Sequence, residues 1–170
     1  MSPSSSRPDP ALLAATVGTG LMTGLYLAFD IGVMPALARR DDEAFVSAMR
    51  RFNDALDDSA SFGALFLGVF VATGVAARRL RRAERARAAR RATAAAVLYG
   101  LSIAVTVGAN LPLNRALRSA PVTASSAAAA AARTAYERPW RKANAVRTAA
   151  CLGALALLGD TALRRAVSRA

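Results

Sequence analysis

Four long apolar stretches, separated by clusters of charged residues, constrain this chain more than any other feature. They cover approximately residues 11–34, 59–77, 92–109 and 144–163. A membrane-spanning helix needs about 20 mainly apolar residues, and these stretches come close to that length. Because lipid offers no hydrogen bonds to an exposed backbone, such stretches cross a bilayer as helices. The sequence therefore predicts an all-α fold, a bundle of four transmembrane helices.

The residues outside these stretches supply a tail and one further helix. Residues 1–10 hold three prolines and four serines and are expected to be a disordered tail, which leaves 11–170 as a single membrane domain. Between the first two stretches, apolar residues recur at helical spacing, at Phe45, Met49, Phe52 and Leu56. This pattern predicts a short amphipathic helix at the outer surface.

Basic residues predict the orientation in the membrane. Segment 78–91 holds eight arginines and one glutamate, and the positive-inside rule places such a segment in the cytoplasm. Two spans precede this segment and two follow it, so both termini are expected in the cytoplasm as well. We expect a multi-pass protein of the plasma membrane. The net charge of +12 would favour nucleic acid as the partner of a soluble protein, but between apolar spans it indicates membrane topology instead.

Segment 111–143, between the third and fourth spans, is expected to be an outer loop. It is also basic, so the orientation depends on the denser cluster at 78–91. Ser125 and Ser126 are candidate N-caps of a helix in this loop that ends near Pro139.

The composition excludes several chemistries. The chain contains no histidine, the commonest ligand of transition metals, so we predict no metal site and no cofactor. A single cysteine, Cys151, cannot form an internal disulfide or a redox thiol pair. No acid lies in the middle of a span, which argues against a small exporter that depends on a deeply buried carboxylate.

Three of the four spans carry a polar stripe along one helical face. The stripes consist of Thr19, Thr23, Tyr26 and Asp30, then Tyr99, Ser102, Thr106 and Asn110, and finally Trp140, Asn144, Arg147 and Cys151. With the predicted topology, the outer ends of the three stripes lie at one depth. A polar pocket that opens outward between the helices is therefore expected.

The stripes also have a purely structural interpretation. An arginine in a span needs a partner, and Asp30 is the predicted partner of Arg147. Arg147 could equally extend to the headgroups, while the asparagines hold loops to helix ends. Small residues beside the first stripe predict close packing between helices, at Gly20, Gly24, Ala28 and Gly32.

Short motifs late in the chain resemble the anthrone oxygenase-like family of membrane proteins. The first combines Thr106, Asn110, Pro112, Leu113 and Asn114, and the second Trp140, Asn144, Arg147 and Thr148. The front half is also similar to that family, at Gly24, Met34, Pro35, Leu37, Met49 and Asn53. Asp30 and the arginine-rich loop have no counterpart in the family's pattern.

The resemblance implies an oxidoreductase, a monooxygenase that oxidises an anthrone to an anthraquinone with molecular oxygen. The lack of histidine fits a cofactor-free hypothesis, in which a base forms an enolate that itself reduces oxygen. In this hypothesis Arg147, Asn110 and Asn144 stabilise the enolate oxygen and Asp30 is the base. The substrate, a small hydrophobic molecule, is bound by Trp140, Tyr26, Thr106, Asn114 and Asn53.

A non-catalytic function stays open beside the oxygenase. The same pattern fits a membrane accessory protein, or a protein that binds lipid or a small molecule. The partners expected in either case are the bilayer and a small hydrophobic compound, with no nucleic acid. The number of chains in the assembly is not fixed by the sequence.

Overall fold

A computed structural model describes residues 9–121 and 126–167, and within these residues it contains helices and no strands. The helices are α1 (Pro10–Leu37), α2 (Asp42–Asp57), α3 (Ala60–Arg82), α4 (Ala86–Ser119) and α5 (Ser126–Val167). The tail predicted over 1–10 lies outside the described residues except for its end. There the carboxylate of Asp9 accepts the N–H of Ala11 at 2.9 Å and caps α1.

The prediction of an all-α bundle with four spans is confirmed. Helices α1, α3, α4 and α5 are each long and apolar enough to cross a membrane, and they form a ring in which α1 and α4 both pack against α3 and α5. Large aliphatic side chains are exposed along the ring, for example Leu21, Leu67, Val71, Val97 and Leu152. An apolar outer surface of this kind suits contact with lipid, and the chain is a membrane protein.

Helix α2 covers one end of the ring, which we call the capped end. The predicted amphipathic helix is therefore present, but its apolar face packs on protein: Phe45 and Met49 are fully buried, against α5 and the ends of α1 and α4. Phe52, expected on the same face, is 41% exposed. The opposite end of the ring is formed by the short turn at 83–85, inside the arginine-rich segment.

A π-helical turn interrupts α1 at Phe29–Val33 and α4 at Thr106–Asn110. In both helices a proline, Pro35 or Pro112, lies two residues after the last residue of the turn. A proline ring collides with the carbonyl four residues earlier, and a wider turn just before it relieves the collision. The turns carry polar residues of the predicted stripes and place them at the capped end.

Helix α5 is longer than the sequence predicts. The helix expected to end near Pro139 continues through it to Val167, so most of the predicted outer loop 111–143 is helical. Pro139 leaves the carbonyl of Ala135 without its helical donor, but Ala135 lies on an exposed face where water can replace the missing N–H. Ser125, one of the predicted caps, lies outside the described residues.

The small-residue stripe does not make the predicted close helix contact. A methyl group built on Gly24 or Gly32 would meet nothing within 4 Å, and one on Gly20 would only touch Leu155 at 3.8 Å. The close approach occurs instead at Gly18, where an added methyl group would collide with the side chain of Val69. The close approach of α1 and α3 thus depends on a glycine opposite a stiff, β-branched residue.

Candidate functional site

A cavity of about 180 Å³ lies inside the ring at the capped end. Its walls are largely aromatic, from Tyr26, Phe29, Phe62, Phe66 and Trp140. Polar side chains converge on the same space, from Asn53, Asp57, Thr106, Asn110, Asn114 and Arg147. All five helices contribute to it. An apolar cavity with a few convergent polar groups is typical of a site for a small molecule.

Most of the residues singled out in the sequence lie around this cavity. Seven line it directly: Tyr26, Asn53, Thr106, Asn110, Asn114, Trp140 and Arg147. The other two, Asp30 and Asn144, are not among the lining residues. They lie behind Arg147: Asn144 bonds to Arg147 directly, and Asp30 bonds to Asn144.

Arg147 is the cation of the site, and only 8% of it is exposed. Its Nη2 donates to Oδ1 of Asn144 at 2.6 Å, and its Nη1 donates to Oγ1 of Thr106 at 3.3 Å. The guanidinium carbon lies 4.3 Å from the centre of the Tyr26 ring and 5.7 Å from that of Trp140. Such contacts stabilise a desolvated cation by about 2 kcal/mol. Neutral groups thus hold the charge at the cavity wall.

The predicted ion pair between Arg147 and Asp30 is not present. Asn144 lies between them: its Nδ2 donates to Oδ1 of Asp30 at 2.7 Å, while its Oδ1 accepts from Arg147. The hydroxyl of Thr148 donates to Oδ2 of Asp30 at 2.6 Å. The acid therefore fixes the orientation of the Asn144 amide, and the amide carries its influence to the arginine.

A second hydrogen-bond network joins the covering helix to the ring through Asn114. The indole Nε1 of Trp140 and the hydroxyl of Tyr136 both donate to Oδ1 of Asn114 at 3.0 Å. Because an indole N–H can only donate, these bonds fix the amide orientation and direct Nδ2 to Oδ2 of Asp57 at 2.9 Å. Asn53 completes the network by donating to the Tyr136 hydroxyl at 3.2 Å.

Several buried polar atoms at the cavity have no partner among the described residues. Both amide atoms of Asn110 are unbonded although the residue is only 1% exposed, and so is Nε of Arg147. A buried polar atom without a partner costs about 1–3 kcal/mol. Asn144 and Asn114 do tie elements of the fold together, but Asn110 does not. Its amide atoms are therefore free to bind a molecule in the cavity.

Asp57 is the acid of the cavity, and the sequence interpretation missed it. The residue lies at the rim, partly exposed to solvent, with one carboxylate oxygen against Asn114. Partial burial raises the pKa of this carboxyl above its ordinary value of 3.8, against the opposing effects of Asn114 and Arg118. The signal available in the sequence was its spacing from Asn53, which places both residues on one face of α2.

No group of three histidine, cysteine, aspartate or glutamate side chains within 9–121 and 126–167 is placed to hold a metal ion. The polar groups that converge on the cavity are side-chain amides, the guanidinium of Arg147 and the carboxylate of Asp57. This set can bind and polarise an oxyanion and can accept a proton.

The fold and the cavity define a class: a helical membrane bundle with an aromatic and polar cavity at one end. The family model described as anthrone oxygenase matches residues 52–157, and the chain belongs to this family. The matched region contains the asparagines, Trp140 and Arg147 of the site, whereas α1 with Tyr26 and Asp30 precedes it. No curated protein and no solved structure matches the chain.

Proposed function

We propose that the protein is a cofactor-independent oxygenase that converts an anthrone-like substrate and O₂ into the corresponding quinone and water. Membership of the anthrone oxygenase family supports the reaction type. The observation that carries the proposal is the unbonded amide of Asn110, which lies with Arg147 at the wall of an aromatic cavity. These two groups are placed to bind the oxygen of a flat aromatic ketone.

The reaction balances without a further oxidant or reductant. A base takes one proton from the methylene carbon, which gives an electron-rich enolate. The enolate reduces O₂ and a carbon–oxygen bond forms, giving a peroxide anion that takes the first proton back from the base and becomes a hydroperoxide at that carbon. Loss of the second proton from the same carbon then breaks the O–O bond, forms the new carbonyl and releases water. The substrate supplies all the electrons that oxygen accepts.

Arg147 and Asn110 act on the enolate oxygen in this proposal. Negative charge grows on that oxygen as the first proton leaves, and a preorganised cation and amide donor stabilise it more than the neutral ketone. Asn144 holds the guanidinium in position through the 2.6 Å bond, and Asp30 holds Asn144. Asp30 thus becomes a positioning residue.

The role of base passes from Asp30 to Asp57. Asp57 lines the cavity and Asp30 does not. A carboxylate with a raised pKa is a stronger base than an ordinary surface carboxylate, which favours removal of a proton from carbon. Its bond from Asn114 fixes the carboxylate relative to the cavity wall.

The aromatic residues divide into two groups. One face of Tyr26 is occupied by the guanidinium of Arg147, so Tyr26 supports the cation and its ring is not free on that face to stack on substrate. Trp140 packs against Phe29, with the ring centres 5.4 Å apart, and forms part of the wall. Phe62 and Phe66 of α3 form the remaining aromatic surface against which a flat substrate packs.

Turnover by the purified protein in nanodiscs tests the proposal. With anthrone as substrate, we expect anthraquinone absorbance to rise while one O₂ is consumed per molecule, above the rate with empty nanodiscs. Gly63 lines the cavity and has open space beside it, so Gly63→Leu is expected to fill the cavity and lower kcat/KM by about 10- to 200-fold.

Gly68→Leu is the matched control for this variant. Gly68 lies in the same helix, has open space beside it, is exposed and does not line the cavity. The activity of the Gly68→Leu variant should therefore equal that of the wild type. Binding of anthrone without any turnover would overturn the oxygenase and favour the non-catalytic binding protein. Equal activity of both leucine variants would place the reaction outside this cavity.

We also propose that the turn at 83–85 and both termini face the cytoplasm, in the plasma membrane. The arginine density of 78–91 supports this orientation. A cysteine introduced by Arg115→Cys at the capped end should react with a membrane-impermeant maleimide on intact cells. One introduced by Glu84→Cys should react only after permeabilisation, and the reverse pattern would invert the topology. Cys151 is buried and serves as the unreactive background.

A further inference from the structure

A second concave site lies at the end of the bundle opposite to the cavity. It has a volume of about 440 Å³ and is formed by the start of α4 and the end of α5. Five arginines line it, namely Arg85, Arg87, Arg91, Arg164 and Arg165. The remaining lining residues are small, so the guanidinium groups dominate the chemistry of this pocket, which we call the arginine pocket.

Acids neutralise only part of the arginine pocket. Asp160 pairs with Arg91 at 2.9 Å and with Arg164 at 2.6 Å. Arg165 contacts Asp9 at 3.8 Å. Arg85 and Arg87 form no ion pair or side-chain hydrogen bond among the described residues. The pocket therefore keeps a positive charge that an anion would neutralise.

The backbone adds to this charge at the turn between α3 and α4. The N–H of Arg85 bonds to the carbonyl of Leu80 at 3.1 Å, and Glu84 has a left-handed conformation with φ of 56°. After this tight end of α3, helix α4 begins at Ala86. No side chain caps the first N–H groups of α4. Ala86 and Ala88 line the pocket, so the positive end of the long helix α4 faces the same space as the arginines.

We propose that the arginine pocket binds the phosphodiester headgroup of an anionic phospholipid. A free phosphate shares the chemistry of the headgroup, but the position of the pocket favours lipid. It lies where two spanning helices reach the membrane surface, and Leu163 and Val167 beside it on α5 are 69% and 77% exposed. These side chains offer an apolar surface to acyl chains next to the charged site. Basic pockets between spanning helices bind anionic headgroups in this way.

Native mass spectrometry of the full chain in detergent tests the site with phosphatidylglycerol, phosphatidylcholine and inorganic phosphate as probes. We expect one phosphatidylglycerol per chain to bind more tightly than phosphatidylcholine, with phosphate competing only weakly. The double variant Arg85→Gln/Arg87→Gln should weaken phosphatidylglycerol binding by at least about tenfold. Arg115→Gln/Arg138→Gln removes the same charge at the capped end from exposed residues and should bind like the wild type.

Three outcomes would overturn the assignment. Equal weakening in both double variants would mean that net charge alone attracts the lipid. Unchanged binding in the Arg85/Arg87 variant would place the lipid elsewhere. Phosphate that displaces phosphatidylglycerol at equal concentration would make a soluble anion the occupant. Arg85 and Arg87 are exposed and unpaired, so their loss should leave the fold intact; Arg164→Gln is a second variant for the same measurement. The result does not depend on oxygenase activity.

Discussion

Replacing Arg147 with methionine is expected to lower kcat for anthrone oxidation by about 10²- to 10³-fold, the usual effect of removing one oxyanion donor. Methionine fills similar space but removes the cation that stabilises the enolate oxygen. Because Arg147 is only 8% exposed, its charge acts in a largely desolvated wall, where electrostatic interactions are strong. Because the ketone carries little charge before deprotonation, KM should change much less than kcat. Stopped-flow measurement of anthraquinone formation at saturating anthrone separates the two constants.

Two further variants make the prediction specific to the guanidinium fork. Arg147→Lys keeps the charge but lacks the planar fork whose two nitrogens reach Thr106 and Asn144, so its kcat should lie between those of the wild type and the methionine variant. Lys142→Met removes an exposed cation from the same helix and should leave both constants unchanged. A methionine variant that is folded and retains wild-type kcat would remove Arg147 from the mechanism.

Helical spacing made the ring and much of the cavity predictable. Side chains at i, i+3, i+4 and i+7 share a face, and a polar face on a helix in lipid must turn toward other protein. Tyr26, Asn110 and Arg147 come from three different helices, and this rule is enough to place them around one space. The four spans were likewise predictable, because bilayer thickness fixes the apolar length that each helix needs, independently of the other helices.

Spacing could not predict which atoms pair across helices. Asp30 and Arg147 were expected to form an ion pair because their charges are opposite, but the amide of Asn144 bonds to both. The close contact at Gly18 depends on the position of Val69 in another helix, so a periodic glycine stripe was a poor guide to it. The spacing of Asp57 from Asn53 puts both on one face of α2, but that this face meets the cavity depends on how α2 folds back over the ring.

Asp57→Asn is expected to lower kcat/KM by about 10²- to 10⁴-fold, the range for loss of a general base. Asparagine keeps the shape and the contact with Asn114 but cannot take a proton. Asp58→Asn, at the next residue, whose side chain is 68% exposed, is the matched control and should keep nearly full activity. Near wild-type turnover in the Asp57 variant would show that another group is the base, and Asp30→Asn would then be the next variant to measure.

The pH profile gives a signed test of the same assignment. A base works as the carboxylate, so activity should fall as pH drops through the pKa of Asp57. Burial raises this pKa above its ordinary value of 3.8, so the acid limb of the pH profile should lie above that value.

Two neighbouring charges shift the pKa of Asp57 in opposite directions: Arg118 lowers it and Asp58 raises it. Arg118→Gln should therefore move the acid limb of kcat/KM to higher pH, and Asp58→Asn should move it to lower pH. Neither residue lines the cavity, so opposite shifts with little change in the plateau rate would identify Asp57 as the titrating base. Shifts of the same sign, or none, would exclude it.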